Sequence, residues 1–370
     1  LSFDGQGAMD IAAGDLDGDG KDDLIMAAAG RTHILLSSAD SFADRASRTA
    51  LPFDAISVSL GDANGDGQLD LAICLSDRVM LLYGHEGRFE PSQGIPLDVS
   101  RPKEAVFADV DGDGLEDIIV ANHATPGGAT WTDSLVFYSD GAAFTDRSPL
   151  RLPTLGASGV SAGDLNGDGR PEIVISNGRV TNELTLLSYV FWNMDGTYEF
   201  GHHSQLRTEG SVANTLGDVN NDGWDDVIFL QYEGGFRDGP RESHVYWGNG
   251  ERDFSITRRT GFQTHHIFGY GSADLDDDGA VDLLFCEDRF IYGIAHAQSG
   301  IVIHWGGDSG FTAPTHLSLG SAYGGMRIAD LNRDGYLDLV SGGASIDPSV
   351  PGIHGLPIFW GSPQGLSLIH

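Results

Sequence analysis

Short apolar runs recur along the chain, each entered from a cluster of Asp, Asn and Gly. They are Leu24-Ile25-Met26-Ala27, Leu71-Ala72-Ile73-Cys74, Ile118-Ile119-Val120, Ile173-Val174-Ile175, Val227-Ile228-Phe229, Leu283-Leu284-Phe285 and Leu339-Val340. Apolar, β-branched runs of this length between Gly-rich turns read as strands. A second apolar run follows in phase and ends in an aromatic step: Leu82-Tyr83-Gly84, Phe137-Tyr138, Phe191-Trp192, Tyr246-Trp247-Gly248, His304-Trp305-Gly306 and Phe359-Trp360-Gly361. After a turn comes Phe42, Phe89, Phe144, Phe200, Phe254, Phe311 or Leu366. Each unit thus supplies four strands: one into the polar cluster, one out of it, the aromatic strand and an outer strand. No segment carries sustained helical periodicity flanked by caps.

The polar clusters share one nine-residue pattern, Asp-x-Asp/Asn-x-Asp-Gly-x-x-Asp/Glu. Its seven copies place Asp15, Asp17, Asp19 and Asp23; Asp62, Asn64, Asp66 and Asp70; Asp109, Asp111, Asp113 and Asp117; Asp164, Asn166, Asp168 and Glu172; Asp218, Asn220, Asp222 and Asp226; Asp274, Asp276, Asp278 and Asp282; and Asp330, Asn332, Asp334 and Asp338 at positions 1, 3, 5 and 9. First positions lie 47, 47, 55, 54, 56 and 56 residues apart. A period of that length signals a propeller, solenoid or array. Seven antiparallel four-stranded units predict an all-β, seven-bladed β-propeller, since solenoid rungs are usually much shorter. The blades fall at about 8–50, 53–99, 103–152, 157–207, 211–260, 266–319 and 323–370. The text His316-Leu317-Ser318-Leu319 reappears as His370 followed by Leu1-Ser2-Phe3, so the chain reads as a circle cut inside one outer strand. Residues 1–5 are therefore expected to complete the last blade, which removes open sheet edges. The same junction could instead pair between molecules and give self-assembly through the terminal strand.

Oxygen ligands at positions 1, 3 and 5 of a tight loop converge on one point, and Gly at position 6 permits the sharp turn. Position 9 is expected to close the shell. Hard oxygen donors with six to eight places to fill select Ca²⁺ over Zn²⁺ or copper, and Mg²⁺ prefers a smaller octahedron. The expectation is up to seven Ca²⁺ ions, one per blade. An EF-hand is excluded, because it needs Glu at position 12 and flanking helices, whereas position 12 of the first loop is Met26.

Composition sharpens this. The 370 residues carry 54 acidic and 21 basic side chains, a net charge of −33. The loop positions hold 24 of those carboxylates, and the rest of the chain keeps only −9. Nucleic acid is a poor partner for such a chain, since binding it needs a basic footprint. No apolar run is long enough for a membrane span. The sequence starts at Leu1 without a basic-then-apolar leader; either processing removes a signal peptide or this sequence omits it. No Asn-x-Ser/Thr sequon occurs, which favours a prokaryotic secreted or cell-surface protein, in surroundings where millimolar Ca²⁺ suits exposed loops.

The Asp loop followed by an apolar strand resembles the FG-GAP and VCBS repeats of integrin α-subunit propellers and many secreted bacterial proteins. The resemblance runs over essentially the whole chain and implies Ca²⁺ in the loop between the first two strands of each blade. Two departures stand out. All seven blades carry the loop, and the Phe-Gly and Gly-Ala-Pro signatures are mostly missing. Integrin-type ligand recognition is therefore not implied, and fold alone does not settle function.

Cys74 and Cys286 occupy equivalent positions in blades across the ring, too far apart for a disulfide; two buried free thiols are expected. Links between second and third strands lengthen in blades three to seven. With the blade-to-blade links they gather basic and aromatic residues on the face away from the Asp loops, where Trp131, Arg241, His265, His266, Arg289, Tyr292 and Tyr323 are the candidate ligand-binding residues. No HExxH, nucleophile elbow or phosphate loop is present, and no catalytic residue stands out. The preferred reading is a non-catalytic adhesion, carbohydrate-binding or assembly scaffold with a glycan or protein ligand on that face. The alternatives are a polysaccharide lyase or other carbohydrate-active enzyme, with Tyr and His as base and acid and Arg neutralising a uronate, and a fibre or surface-layer subunit.

Overall fold

The computed structural model describes residues 8–28, 30–37, 48–142, 144, 147–178, 186–231, 241–264, 267–287, 300–308, 310–318, 324–342, 357–362 and 366–368. Seven four-stranded antiparallel sheets form the blades of a β-propeller, each laid out in chain order from the inner to the outer strand. Inner strands are Ala8–Gly14, Ser57–Gly61, Pro102–Ala108, Ala157–Gly163, Ser211–Gly217, Ile267–Ala273 and Met326–Ala329. Second strands are Asp23–Ala28, Asp70–Cys74, Asp117–Asn122, Glu172–Asn177, Asp226–Gln231, Asp282–Glu287 and Asp338–Ser341, and every residue of all seven is buried. This explains their continuous apolar text: each second strand lies inside its own sheet and is covered on both faces by the neighbouring blades. Among the described residues the only helical element is one 3₁₀ turn, Pro91–Gln93, and no helix is long and apolar enough to cross a membrane.

Third strands end at the aromatic step, and their indoles tie them to the outer strands. Trp192, Trp247 and Trp305 donate Nε1–H to Ser204, Thr260 and Thr315 at 2.8–3.0 Å. Ahead of the outer strands in blades 2, 3 and 5, Phe89, Phe144 and Phe254 are buried. Blade 4 differs. Phe200 is 48% exposed, and Tyr198 takes the buried place, its hydroxyl donating to the Pro171 carbonyl at 2.5 Å. The outer strand of this blade starts early, at Tyr198, so Phe200 lies further along it. Tyr198 stands 20 residues before Asp218, the spacing found in the blades of Phe42, Phe89, Phe144 and Phe254.

The ring closes between blades 7 and 1. A Cβ added at Gly325 would lie 2.5 Å from Asp10 Cα, and Arg327 pairs with Asp10 at 3.6 Å. The last outer strand, Ser367–Leu368, pairs with Ile358–Trp360. Residues 1–5, expected to complete that blade, lie outside the described residues. Cys74 and Cys286 are free and buried, and burial raises both thiol pKa values.

Candidate metal loops and the opposite face

The seven Asp loops share one backbone construction. The position 1 carboxylate folds back over its own loop. In blade 2, Asp62 accepts the amides of Gly65 and Asp66 at 2.8 and 3.1 Å on Oδ1 and that of Gly67 at 2.8 Å on Oδ2. Position 5 accepts the amide of position 7, as Asp66 does from Gln68 at 2.8 Å. Two residues per loop are left-handed. Position 6 is always Gly, at φ 80–94°. Position 4 is Gly in blades 1–4, but Asn221, Asp277 and Arg333 hold φ 54–61° in blades 5–7. The spacing did not reveal this second left-handed site. Asn and Asp tolerate it comparatively well.

Position 9 has a task beyond the one expected. All seven of these carboxylates are buried, at 0–1% exposure. Each takes one backbone amide on each oxygen: one from position 2 of its own loop, the other from just beyond or at the end of the third strand. Asp23 accepts from Leu16 at 2.9 Å and Ser37 at 2.6 Å. Asp70 holds Ala63 and Gly84, Asp117 holds Val110 and Ser139, and Asp226 holds Val219 and Gly248. Asp282 and Asp338 repeat the pattern. Glu172, the one Glu, makes the same pair with Leu165 at 2.9 Å and Asn193 at 3.3 Å. Position 9 therefore staples the Asp loop to the third strand.

Burial raises these carboxyls, with the loop's other acids adding to the effect and the amide hydrogen bonds opposing it. Asp23, Asp70, Asp282 and Asp338 are pushed up to about 6, and Asp117, Glu172 and Asp226 to about 7.

The donor chemistry fits a hard divalent cation. Carboxylate oxygens of Asp15, Asp17 and Asp19, of Asp109, Asp111 and Asp117, and of Asp274, Asp276 and Asp282 each lie within 4.8 Å of one another. Such crowding of like charge favours a counter-cation. Arginines already meet part of this demand: Arg147 pairs with Asp111, and Arg252 with Asp168 at 2.8 Å.

The family model for the FG-GAP-like repeat matches residues 15–73, 109–175 and 218–285, a little over half of the 370 residues. The chain belongs to the FG-GAP-like repeat family. Each matched segment opens on the first Asp of one loop and closes in the second strand of the next blade. No curated protein matches the chain. Among solved structures, an Agrocybe aegerita lectin described as specifically recognising non-reducing terminal N-acetylglucosamine is similar to it at a TM-score of 0.54 and 15% identity, over 98% of this chain and 92% of that one. At that identity the likeness is one of fold.

On the other face, Trp131 opens the third strand of blade 3 and is 73% exposed. Arg241 opens the third strand of blade 5. His265, His266, Arg289, Tyr292 and Tyr323 lie outside the described residues, so only these two of the candidate ligand-binding positions have a place in the structure. The end of blades 3–5 beneath this face is a repeated polar ladder. Ser134 meets Thr154, Ser188 meets Thr208 and Ser243 meets Thr264 at 2.8–3.1 Å.

Sequence reasoning missed an acidic pair on the ring axis. Glu104 accepts the Val160 amide at 3.0 Å on one oxygen and the Tyr270 hydroxyl at 2.9 Å on the other. Burial chiefly pushes Glu104 up to about 7; nearby Asp10 adds to this, and Arg327 opposes it. A folded-state pKa above the unfolded one means the native state holds the proton more tightly, so Glu104 favours folding below about pH 4.5 and opposes it as pH rises towards 7. Glu104→Gln is therefore expected to match the parent near pH 4.5 and to exceed it at pH 8 by an amount on the order of 2 kcal/mol. Thermal melts of both proteins across that range check this, and a pH-independent difference would show that Glu104 does not titrate there.

Proposed function

We propose that this chain is a secreted or cell-surface, Ca²⁺-stabilised binding scaffold without catalytic activity, which takes a glycan or protein ligand on the face opposite the Asp loops. The observation that carries the reading is the sevenfold repetition of one loop, with crowded carboxylates on one face of a rigid ring. Seven Ca²⁺ ions there would bring the net charge from −33 to about −19 and tie the loops down, leaving the other face to vary. Exposed Trp131 supports the choice of face, since an indole at a strand end is an amphipathic platform on which a sugar ring can stack. The distant lectin gives the glycan class its weight. Expected on a glycan array in Ca²⁺ is retained binding to a restricted set of sugars, weakened about tenfold or more by Trp131→Ala. Formation of unsaturated uronate products from anionic polysaccharides would instead establish the lyase alternative. Binding unaffected by Trp131→Ala would move the site elsewhere.

A further inference from the structure

The fourth Asp loop, residues 164–172, satisfies its carboxylates differently from the others. In every loop one oxygen of the position 5 Asp accepts the position 7 amide, at 2.8–3.0 Å. The second oxygen is the one left for a cation. In loops 2, 5 and 7 it accepts the neutral side-chain amide of the position 3 Asn, at 3.0–3.2 Å. In loop 4 it takes a full positive charge: Arg252 donates Nη2–H to Asp168 Oδ2 at 2.8 Å. Asn166 turns instead to Glu172 Oε1, at 2.8 Å. Asp164 holds the amides of Gly167 and Asp168 on Oδ1 and that of Gly169 on Oδ2. Every carboxylate oxygen of loop 4 therefore already accepts a hydrogen bond.

Blade 5 builds this closure. Arg252 lies in its turn between the third strand, Arg241–Tyr246, and the outer strand, Arg259–Thr264. Its Nη1 also contacts Met194 Sδ at 2.9 Å, so it holds blade 4 at two points. Trp224, position 7 of loop 5, lies beside it. A Cβ at Gly167 in loop 4 would sit 2.9 Å from the indole, and one at Gly250 would sit 2.5 Å from it. An arginine near an Asp loop is not enough by itself. Arg147 takes Asp111 Oδ2 in loop 3, yet Asp111 Oδ1 is buried without a hydrogen-bond partner. Oxygens of Asp109, Asp111 and Asp117 also stay within 4.8 Å of one another, so loop 3 keeps an unmet demand for a cation. Arg333 lies against Gly20 of loop 1, where Asp15, Asp17 and Asp19 remain crowded in the same way. Among the described residues, loop 4 shows neither an orphaned buried oxygen nor such a cluster.

We infer that Arg252 is the built-in cation of loop 4 and makes this loop the weakest of the seven Ca²⁺ sites, the last to fill and the first to release its ion. The inference rests on the Ca²⁺ reading of the loops and refines it. An ion that uses Asp168 Oδ2 must either displace the guanidinium or bind beside it. A unit charge about 4 Å from a divalent ion in water-like surroundings weakens its binding about tenfold once screening is counted. The Arg252 side chain is 41% exposed and can swing into water, which confines the effect to a weakening. Loop 4 thus still fills in millimolar Ca²⁺. As Ca²⁺ falls, Arg252 and Trp224 keep blade 5 against blade 4 while loop 4 gives up its ion.

The test is a Ca²⁺ titration of the stripped full chain, with bound ions counted by native mass spectrometry and affinities measured by calorimetry. Six of the seven loops are expected to fill ahead of a last step about tenfold weaker. Arg252→Met, which keeps the aliphatic stem, is expected to tighten that last step about tenfold and to leave the other six unchanged. Asp168→Asn is expected to weaken only the last step, whereas Asp113→Asn, at the same position of loop 3, weakens one of the first six. Seven indistinguishable sites in the parent, a last step that Arg252→Met leaves unchanged, or an Asp168→Asn variant that loses a tight ion would overturn the inference and leave Ca²⁺ in the loops. A parent chain that binds no ion in any loop would remove the Ca²⁺ reading itself, and the inference with it.

Discussion

Stripping the protein of divalent cations is expected to lower its melting temperature by about 20 °C or more. If each loop bound Ca²⁺ with a Kd of about 10 μM in about 1 mM Ca²⁺, linkage would contribute about 2.7 kcal/mol per site. Over the seven loops this reaches about 19 kcal/mol, more than the roughly 5–15 kcal/mol by which ordinary domains are stable. At about 2.1 cal/mol/K of unfolding entropy per residue, a chain of 370 residues converts that loss into the stated shift. Protease sensitivity rises with it, because loops whose carboxylates repel one another open more often. A melt in excess EDTA that superimposes on the melt in Ca²⁺ would refute structural calcium.

A second large effect is expected inside one loop. Asp226 is fully buried and accepts the amides of Val219 at 3.0 Å and Gly248 at 2.8 Å. Asp226→Ala leaves two buried donors unpaired and should cost about 3–5 kcal/mol even in chelator. Asp222 belongs to the same loop, but its hydrogen bonds are exposed turn contacts to Trp224 and Asn220. Asp222→Ala should cost less than about 1 kcal/mol in chelator and more in Ca²⁺, where it removes a ligand. Urea midpoints of the two variants, with and without EDTA, separate a staple from a ligand. An Asp226→Ala variant as stable as its parent in EDTA would show that the carboxylate does not hold the third strand.

The architecture was legible because two periods coincide. Apolar runs such as Ile173-Val174-Ile175 recur in phase with the Asp loops, and a strand covered on both faces needs exactly such unbroken apolar text. The double role of position 9 was hidden because spacing within nine residues reports only which oxygens are near one another. The second donor comes from far along the chain: Asn193 for Glu172, Ser37 for Asp23. Phe200 matches the recurring Phe by residue type, but the spacing of 20 residues singles out Tyr198. The left-handed turns at Asn221, Asp277 and Arg333 escaped because no Gly marks them. Asp10 and Glu104 were visible in principle as two acids five residues before the first Asp of their loops, where the other inner strands carry Ser57, Gly159, Ala213, Gly269 and Gly325. They emerge only when the inner strands are aligned with one another, since a single blade gives no sign that the column meets on an axis.

The most direct test counts the ions. Protein stripped with chelator, dialysed against millimolar Ca²⁺ and analysed by mass spectrometry for bound metal should hold close to seven Ca²⁺ per chain, one for each Asp loop, and should lose that binding loop by loop as position 3 and 5 carboxylates are replaced. A chain that retains none, or a single ion indifferent to those replacements, would contradict the reading of the loops as cation sites.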